Sequence, residues 1–189
     1  MKKILLIVVL SIVKVSFGQG NFKLGDYTKT ISNKIEFKYK NPLNPFQKTE
    51  ESYSSQGNNN LVSSYYTKTS NTVIVLQIYA SSIPPKFKDI DWNSITNSDK
   101  ISKNFINSFL GTLKNTSMKI SKYGLVTING KDFLEVYSTL TVSGVTQKQI
   151  NWITVYKNNF INILGVTLID SFDKNESFFK EFTQSVLIN

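Results

Sequence analysis

Few of the residue types that commonly carry chemistry occur in this sequence of 189 residues. It has no histidine and no cysteine, and all 22 of its basic residues are lysine. Without histidine, a Ser-His-Asp triad and a histidine-ligated zinc site are excluded. Without cysteine, disulfides, thiol nucleophiles and a lipid-modified cysteine are excluded. Without arginine, bidentate recognition of phosphate or guanine is excluded as well.

A calcium-loop pattern begins at Asp89 but is not completed. Asp89, Asp91 and Asn93 alternate oxygen ligands as the start of an EF-hand loop does. Ser94 then stands where the turn requires glycine, and Lys100 stands where the bidentate glutamate would lie. We therefore expect no metal site here, and because no glycine-rich phosphate loop occurs, the sequence predicts no cofactor.

Two patterns leave hydrolysis open. Ser171 and Lys174 have the Ser-x-x-Lys spacing of some serine acyltransferases, although helix capping by Ser171 or Asp173 explains these residues better. Hydrolysis by carboxylates alone needs two acids about 5–10 Å apart across a cleft. The sequence alone does not place any two of its 13 acids together. The alternative of a carboxylate- or serine-dependent hydrolase of envelope polymers therefore stays open, with Glu135 and Ser171 as the residues to test.

A long segment without clear periodicity, residues 81–100, is the candidate binding site. Long loops on a rigid scaffold are where function tends to lie. The competing interpretation is that its two aromatic residues attach the loop to the core. The candidate binding residues are Lys86, Phe87, Lys88 and Trp92. Lysines elsewhere are scattered among acids and amides, so we expect no nucleic-acid partner.

The first 18 residues have the pattern of a secretory signal peptide. Lys2 and Lys3 precede an apolar run at residues 4–13, and small residues precede a predicted cleavage before Gln19. A run of ten residues is too short to cross about 30 Å of hydrocarbon. We expect a secreted or periplasmic protein with no stable membrane anchor after cleavage. Removal of the three lysines of this segment lowers the formal charge from +9 to +6.

The elements that must position these residues are mainly strands. Residues 118–168 read as four strands joined by short turns, and Asn129-Gly130 is the strongest hairpin signal among them. Gly165, inside the fourth strand, predicts a bulge or a close backbone approach. Further strands are predicted at residues 35–40, 61–68 and 72–80, and amphipathic helices at 101–115 and 174–188. The predicted fold is a single α+β domain over residues 19–189, with one antiparallel sheet of about six or seven strands flanked by two main helices.

This order of elements resembles the PsbP/Mog1-like domain family. The resemblance rests on a strand leading into Asn41-Pro42, a middle helix, the hairpin at residues 128–130 and a final phenylalanine-rich helix ending near residues 185–188. It implies an antiparallel sheet flanked by helices and a non-catalytic accessory protein. Some members support photosystem II and others bind a small GTPase. We therefore expect a secreted protein-binding module that is not an enzyme and whose partner is a protein. Besides the hydrolase, a carrier of an apolar ligand remains an alternative.

Overall fold

The structure is a computed structural model, and it describes residues 22–49, 59–68, 72–82, 119–142 and 144–189. Two predicted segments, the signal peptide at residues 1–18 and the helix at residues 101–115, lie outside the described residues. The described part is mostly β-structure. Its strands are β1 (Leu24–Ser32), β2 (Ile35–Pro42), β3 (Gln47–Lys48), β4 (Asn59–Lys68), β5 (Val73–Ser82), β6 (Lys119–Ile128), β7 (Lys131–Val142), β8 (Val145–Tyr156), β9 (Asn159–Leu168) and β10 (Leu187–Ile188). A 3₁₀ turn at Ile169–Ser171 leads into α1 (Phe172–Gln184), which is the one α-helix of the described residues.

Seven strands form an antiparallel sheet in the order β3-β4-β5-β9-β8-β7-β6. The four-stranded meander predicted from the sequence is confirmed as β6 to β9, each paired with the next. Asn129 and Gly130 have φ values of 50° and 76°, as the predicted type I′ hairpin turn requires. The strands predicted at residues 61–68 and 72–80 are confirmed as β4 and β5, which pair with each other, and β5 then pairs with β9 in the middle of the sheet. The near-continuous burial of β5 agrees with the apolar run from Val73 to Leu76.

A second sheet of three strands, in the order β1-β2-β10, corrects the prediction of a single sheet. β1 was not predicted, because its polar residues give no clear alternation of apolar side chains. β10 lies where the sequence predicted the end of the last helix. The helix ends at Gln184 instead, and Leu187 and Ile188 pair with Lys38 and Phe37 of β2. β10 depends on pairing across the fold, which a local pattern does not contain, whereas β1 pairs with β2 through the turn at Asn33 and Lys34.

The core lies between the two sheets and is built around α1. Four phenylalanines of the helix are buried, and they belong to one cluster with alternate residues of β2 and of the central strands. Gly165 of β9 lies directly beneath the helix. A Cβ atom placed on Gly165 would lie 2.7 Å from Cγ of Phe179, so the predicted close approach is confirmed. Tyr39, Tyr65 and Phe182 have ring centroids 6.4 Å apart in each pair, and they join β2, β4 and the helix.

The hairpin turn of β6 and β7 closes the C-terminal end of α1. The side-chain amide of Asn129 donates to the carbonyls of Gln184 at 2.9 Å and Val186 at 2.8 Å. These bonds satisfy carbonyl groups that the end of a helix leaves without partners. In the described part of the chain, no helix is long and apolar enough to cross a membrane.

Candidate functional site

The four binding residues predicted from the sequence lie outside the described residues, as does the incomplete calcium loop. Lys86, Phe87, Lys88 and Trp92 therefore remain a prediction. Within the residues that the structure describes, no three acidic side chains come together in a way that could hold a metal ion. The groups that could carry chemistry in the described part lie along α1 and on the neighbouring strands β7 and β8.

Glu135 of β7 is paired with the buried indole of β8. The Nε1 atom of Trp152 donates to Oε2 of Glu135 at 2.9 Å. Trp152 is 2% exposed, so its N–H group needs a partner inside the fold. Opposite Glu135 on β6 stands Gly124, and a Cβ atom placed there would meet nothing within 4 Å. The carboxylate therefore lies beside an open space at the β6 side of the sheet.

A second carboxylate, Glu176 of α1, lies beside Tyr137 of β7. The Tyr137 hydroxyl donates to Oε1 of Glu176 at 2.8 Å, and Nζ of Lys180 lies 2.6 Å from the same oxygen. The bond from Lys180 holds the pKa of Glu176 below its usual value despite burial, and the Tyr137 bond lowers it further. Burial raises the pKa of Tyr137, and so do the hydrogen bond to Glu176 and the charge of Glu135.

The direction of these pKa shifts decides what the cluster can do. A general acid needs a carboxyl group that stays protonated near neutral pH, which requires a raised pKa. Glu176 has the opposite shift and is an ionised acceptor. Tyr137 stays protonated and serves as its donor. The arrangement is therefore suited to attaching the helix to the sheet by charge-assisted hydrogen bonds.

Ser171 and Asp173 make contacts different from those predicted for a helix cap. Ser171 occupies the N-cap position of α1, as predicted, but its side chain makes no capping bond. Its hydroxyl lies 3.2 Å from the hydroxyl of Thr72 on the approach to β5. Asp173 lies in the first turn and pairs with Lys148 at 3.2 Å. Because α1 begins at Phe172, Asp173 lies inside the helix and not at its cap.

A different candidate surface is the outward face of the three-stranded sheet, here called the lysine face. The register of β1 and β2 places Tyr27 opposite Lys40, Lys29 opposite Lys38, and Ile31 opposite Glu36. Antiparallel partners point to the same side of a sheet. The alternate residues of β2 are fully buried against the core, so these six side chains face away from it.

The lysine face is organised around an exposed tyrosine. Nζ of Lys38 lies 5.0 Å from the ring centroid of Tyr27, and Nζ of Lys40 lies 5.6 Å from it, both within the range of a cation–π contact. Lys29 forms an ion pair with Glu36. Tyr27 is 45% exposed and Ile31 is 69% exposed, the highest value among the large apolar residues described as exposed. The sequence did not predict this face, because it did not predict β1. The available sequence signal was the turn between β1 and β2, at Asn33 and Lys34, which both adopt positive φ.

A second group of two lysines and a tyrosine lies at the far end of β8. Nζ of Lys131 is 3.9 Å from the ring centroid of Tyr156, and Nζ of Lys157 is 5.1 Å from it. Tyr156 differs from Tyr27 because it is only partly exposed and packs against the core. This group has the same residue types as the lysine face in another setting, so it provides a matched control.

Comparison with known proteins identifies the fold. No protein family model and no curated protein sequence matches the chain. The chain is similar to the solution structure of cyanobacterial PsbP from Synechocystis, with a TM-score of 0.58 and 14% identity over 93% of this chain and 98% of that one. It is also similar to LpqN of Mycobacterium tuberculosis, with a TM-score of 0.52 and 13% identity over 90% of this chain and 93% of that one. At these identities the likeness concerns the fold, and the fold of the chain is therefore PsbP/Mog1-like, as the order of its elements predicts.

Proposed function

We propose that this protein is a secreted, non-catalytic accessory module that acts by binding a protein partner. The fold that it shares with PsbP supports this proposal, since the likeness covers 93% of this chain. A fold by itself does not determine function. The proposal therefore depends on what the chain's own reactive groups do.

The observation that carries the proposal is the internal pairing of the groups that could catalyse hydrolysis. Glu135 accepts from Trp152, Glu176 accepts from Tyr137 and Lys180, and the hydroxyl of Ser171 contacts Thr72. Each of these contacts joins two elements of the fold or two turns of the helix. Such a group stabilises the fold in its ionised or hydrogen-bonded state and would have to lose a partner before acting on a substrate.

The proposed location is the periplasm or the extracellular space. The signal-peptide pattern of residues 1–18 supports it. LpqN, which has a similar fold, is described as involved in cell envelope biogenesis, and we extend only that compartment to this chain. Fractionation of the native host, with the N-terminal residue read by mass spectrometry, tests the location. A mature N-terminus at Gln19 in the envelope or the medium is expected, and an uncleaved chain in the cytoplasm would contradict it.

The proposed protein contact is made by Lys86, Phe87, Lys88 and Trp92. The test is quantitative affinity capture from the native envelope fraction, with these four residues replaced by alanine. The matched control replaces Lys131 and Lys157, which removes the same number of lysines elsewhere. We expect a partner that is captured by the wild type and the control and is lost with the fourfold variant. The same partners on all three proteins would show that this segment is not the contact.

A turnover screen tests the hydrolase alternative. Wild type, Glu135→Ala and Ser171→Ala are compared on glycan and ester substrates at matched concentrations of folded protein. We expect rates equal to the uncatalysed background for all three proteins. A wild-type rate above background that falls in either variant would overturn the non-catalytic proposal.

A further inference from the structure

We propose that the lysine face binds the surface of a membrane that contains anionic phospholipid, reversibly and without insertion of a helix. The inference goes beyond the proposed function, because it adds a second ligand on a different surface. It rests on Tyr27, Ile31 and the three lysines that share one side of β1 and β2.

The charge of the face fits an anionic surface. Three lysines stand on it against one acid, and that acid is already paired with Lys29. Lys38 and Lys40 are therefore left to interact with charges outside the protein while they contact the ring of Tyr27. A lysine close to an anionic leaflet gains about 1 kcal/mol, which is a factor of about 5 in binding.

The apolar residues of the face fit the boundary between headgroups and acyl chains. Ile31 is 69% exposed, whereas its neighbours Thr30 and Ser32 on the other side of β1 are half-buried, so water contacts most of the Ile31 surface. Tyr27 offers a ring and a hydroxyl, the combination that is enriched where membrane meets water. Long lysine side chains can keep their charge among headgroups while their stems lie on apolar surface.

The residue types favour a lipid surface over a protein partner at this face. Protein interfaces are depleted in lysine and enriched in arginine, whereas lysine is an effective point charge for phosphate. Every cation of this face is lysine, and so is every other basic residue of the chain. On the other side of the small sheet, Ile35, Phe37 and Tyr39 of β2 are fully buried in the core.

The test is co-sedimentation of the full chain with vesicles. One set contains about 30% phosphatidylglycerol in phosphatidylcholine, and the other contains phosphatidylcholine alone. All variants carry the same N-terminus, so residues 1–18 contribute equally. Replacing Lys38 and Lys40 by glutamine is expected to weaken binding to the anionic vesicles about 25-fold at low salt. Ile31→Ser is expected to weaken it about threefold to fivefold.

The matched control replaces Lys131 and Lys157 by glutamine, which makes the same change in net charge beside Tyr156. It is expected to change binding less than twofold. Equal losses in the two double variants would mean that net charge alone drives binding, and the assigned face would be wrong. Far-ultraviolet circular dichroism and unfolding midpoints verify that each variant is folded before its binding is compared.

Two further outcomes would overturn the proposal. Wild-type protein that fails to sediment with phosphatidylglycerol vesicles, or that sediments equally with neutral ones, has no anionic lipid specificity. Poly-L-glutamate serves as a probe for an acidic polypeptide. If it binds the wild type and loses binding in the Lys38 and Lys40 variant while the vesicles do not bind, the face recognises acidic protein instead.

Discussion

Replacing Gly165 by alanine should destabilise the protein through a single contact with the C-terminal helix. The added Cβ atom would lie 2.7 Å from Cγ and 2.8 Å from Cδ1 of Phe179. Carbon atoms in favourable contact are about 3.5–4.0 Å apart, so the overlap is about 1 Å. Phe179 is fully buried, and its own Cβ lies 3.1 Å from the added atom, so the ring cannot turn away.

The expected net loss of unfolding free energy is about 1–2 kcal/mol. Overpacking a core typically costs about 1–3 kcal/mol. Alanine restricts the unfolded chain more than glycine does, which offsets about 0.4–1 kcal/mol of that cost. Urea denaturation followed by circular dichroism measures the change, and the thermal midpoint should fall by about 2–8 °C.

Gly124→Ala is the matched control. Gly124 also lies within a strand of the large sheet, but a Cβ atom there has no neighbour within 4 Å. Its unfolding free energy should stay unchanged or rise by up to about 1 kcal/mol. Adding Phe179→Leu to Gly165→Ala should give a double variant at least about 0.5 kcal/mol more stable than the sum of the two single effects. Equal effects of the two alanine substitutions would refute the packing of α1 on β9.

Three other substitutions test the contacts that attach the helix and the second sheet. Asn129→Ala should lower the unfolding free energy by about 1–3 kcal/mol, because the carbonyls of Gln184 and Val186 lose their donor. An unchanged unfolding free energy in chemical denaturation would contradict this. Glu176 has a lowered pKa in the folded state, so its stabilisation is complete above the unfolded pKa of about 4.3 and is lost as the pH falls through the folded value. The difference in unfolding free energy between wild type and Glu176→Gln should therefore be constant above pH 6 and shrink below pH 4 (a difference independent of pH would mean that the pair with Lys180 does not form). Tyr65→Phe removes a 2.5 Å hydrogen bond to Oδ1 of Asn41 and should lower the unfolding free energy by about 1 kcal/mol. No measurable change in the urea midpoint would show that this bond does not join the two sheets.

The meander could be predicted from the sequence because its signals are local. Asn129-Gly130 tolerates the two positive φ angles of the turn, and the runs on both sides alternate or stay apolar as buried strands do. Gly165 was informative for the same reason, since a glycine inside an apolar strand leaves room for a neighbour. These features depend on a few adjacent residues and survive without knowledge of the fold.

The second sheet and the lysine face were not predicted, because β10 depends on pairing between distant residues and β1 has no clear apolar alternation. β10 has only two residues, and it exists because Leu187 and Ile188 meet β2 after the helix ends. β1 is polar on one side and joins the sheet through its register with β2. Glu176 is a similar case, because it comes near Tyr137 only when α1 lies over the sheet.

The most direct test of the account is a titration of the glutamate carboxyl carbons by nuclear magnetic resonance, with Glu176→Gln used to assign the signal. The proposed structural role keeps this carboxylate ionised at neutral pH as the partner of Tyr137 and Lys180, without donation of protons to a substrate. It predicts a midpoint below the usual glutamate value of about 4.3. A midpoint near or above about 6, as a poised general acid shows, would contradict the structural role and the non-catalytic proposal with it.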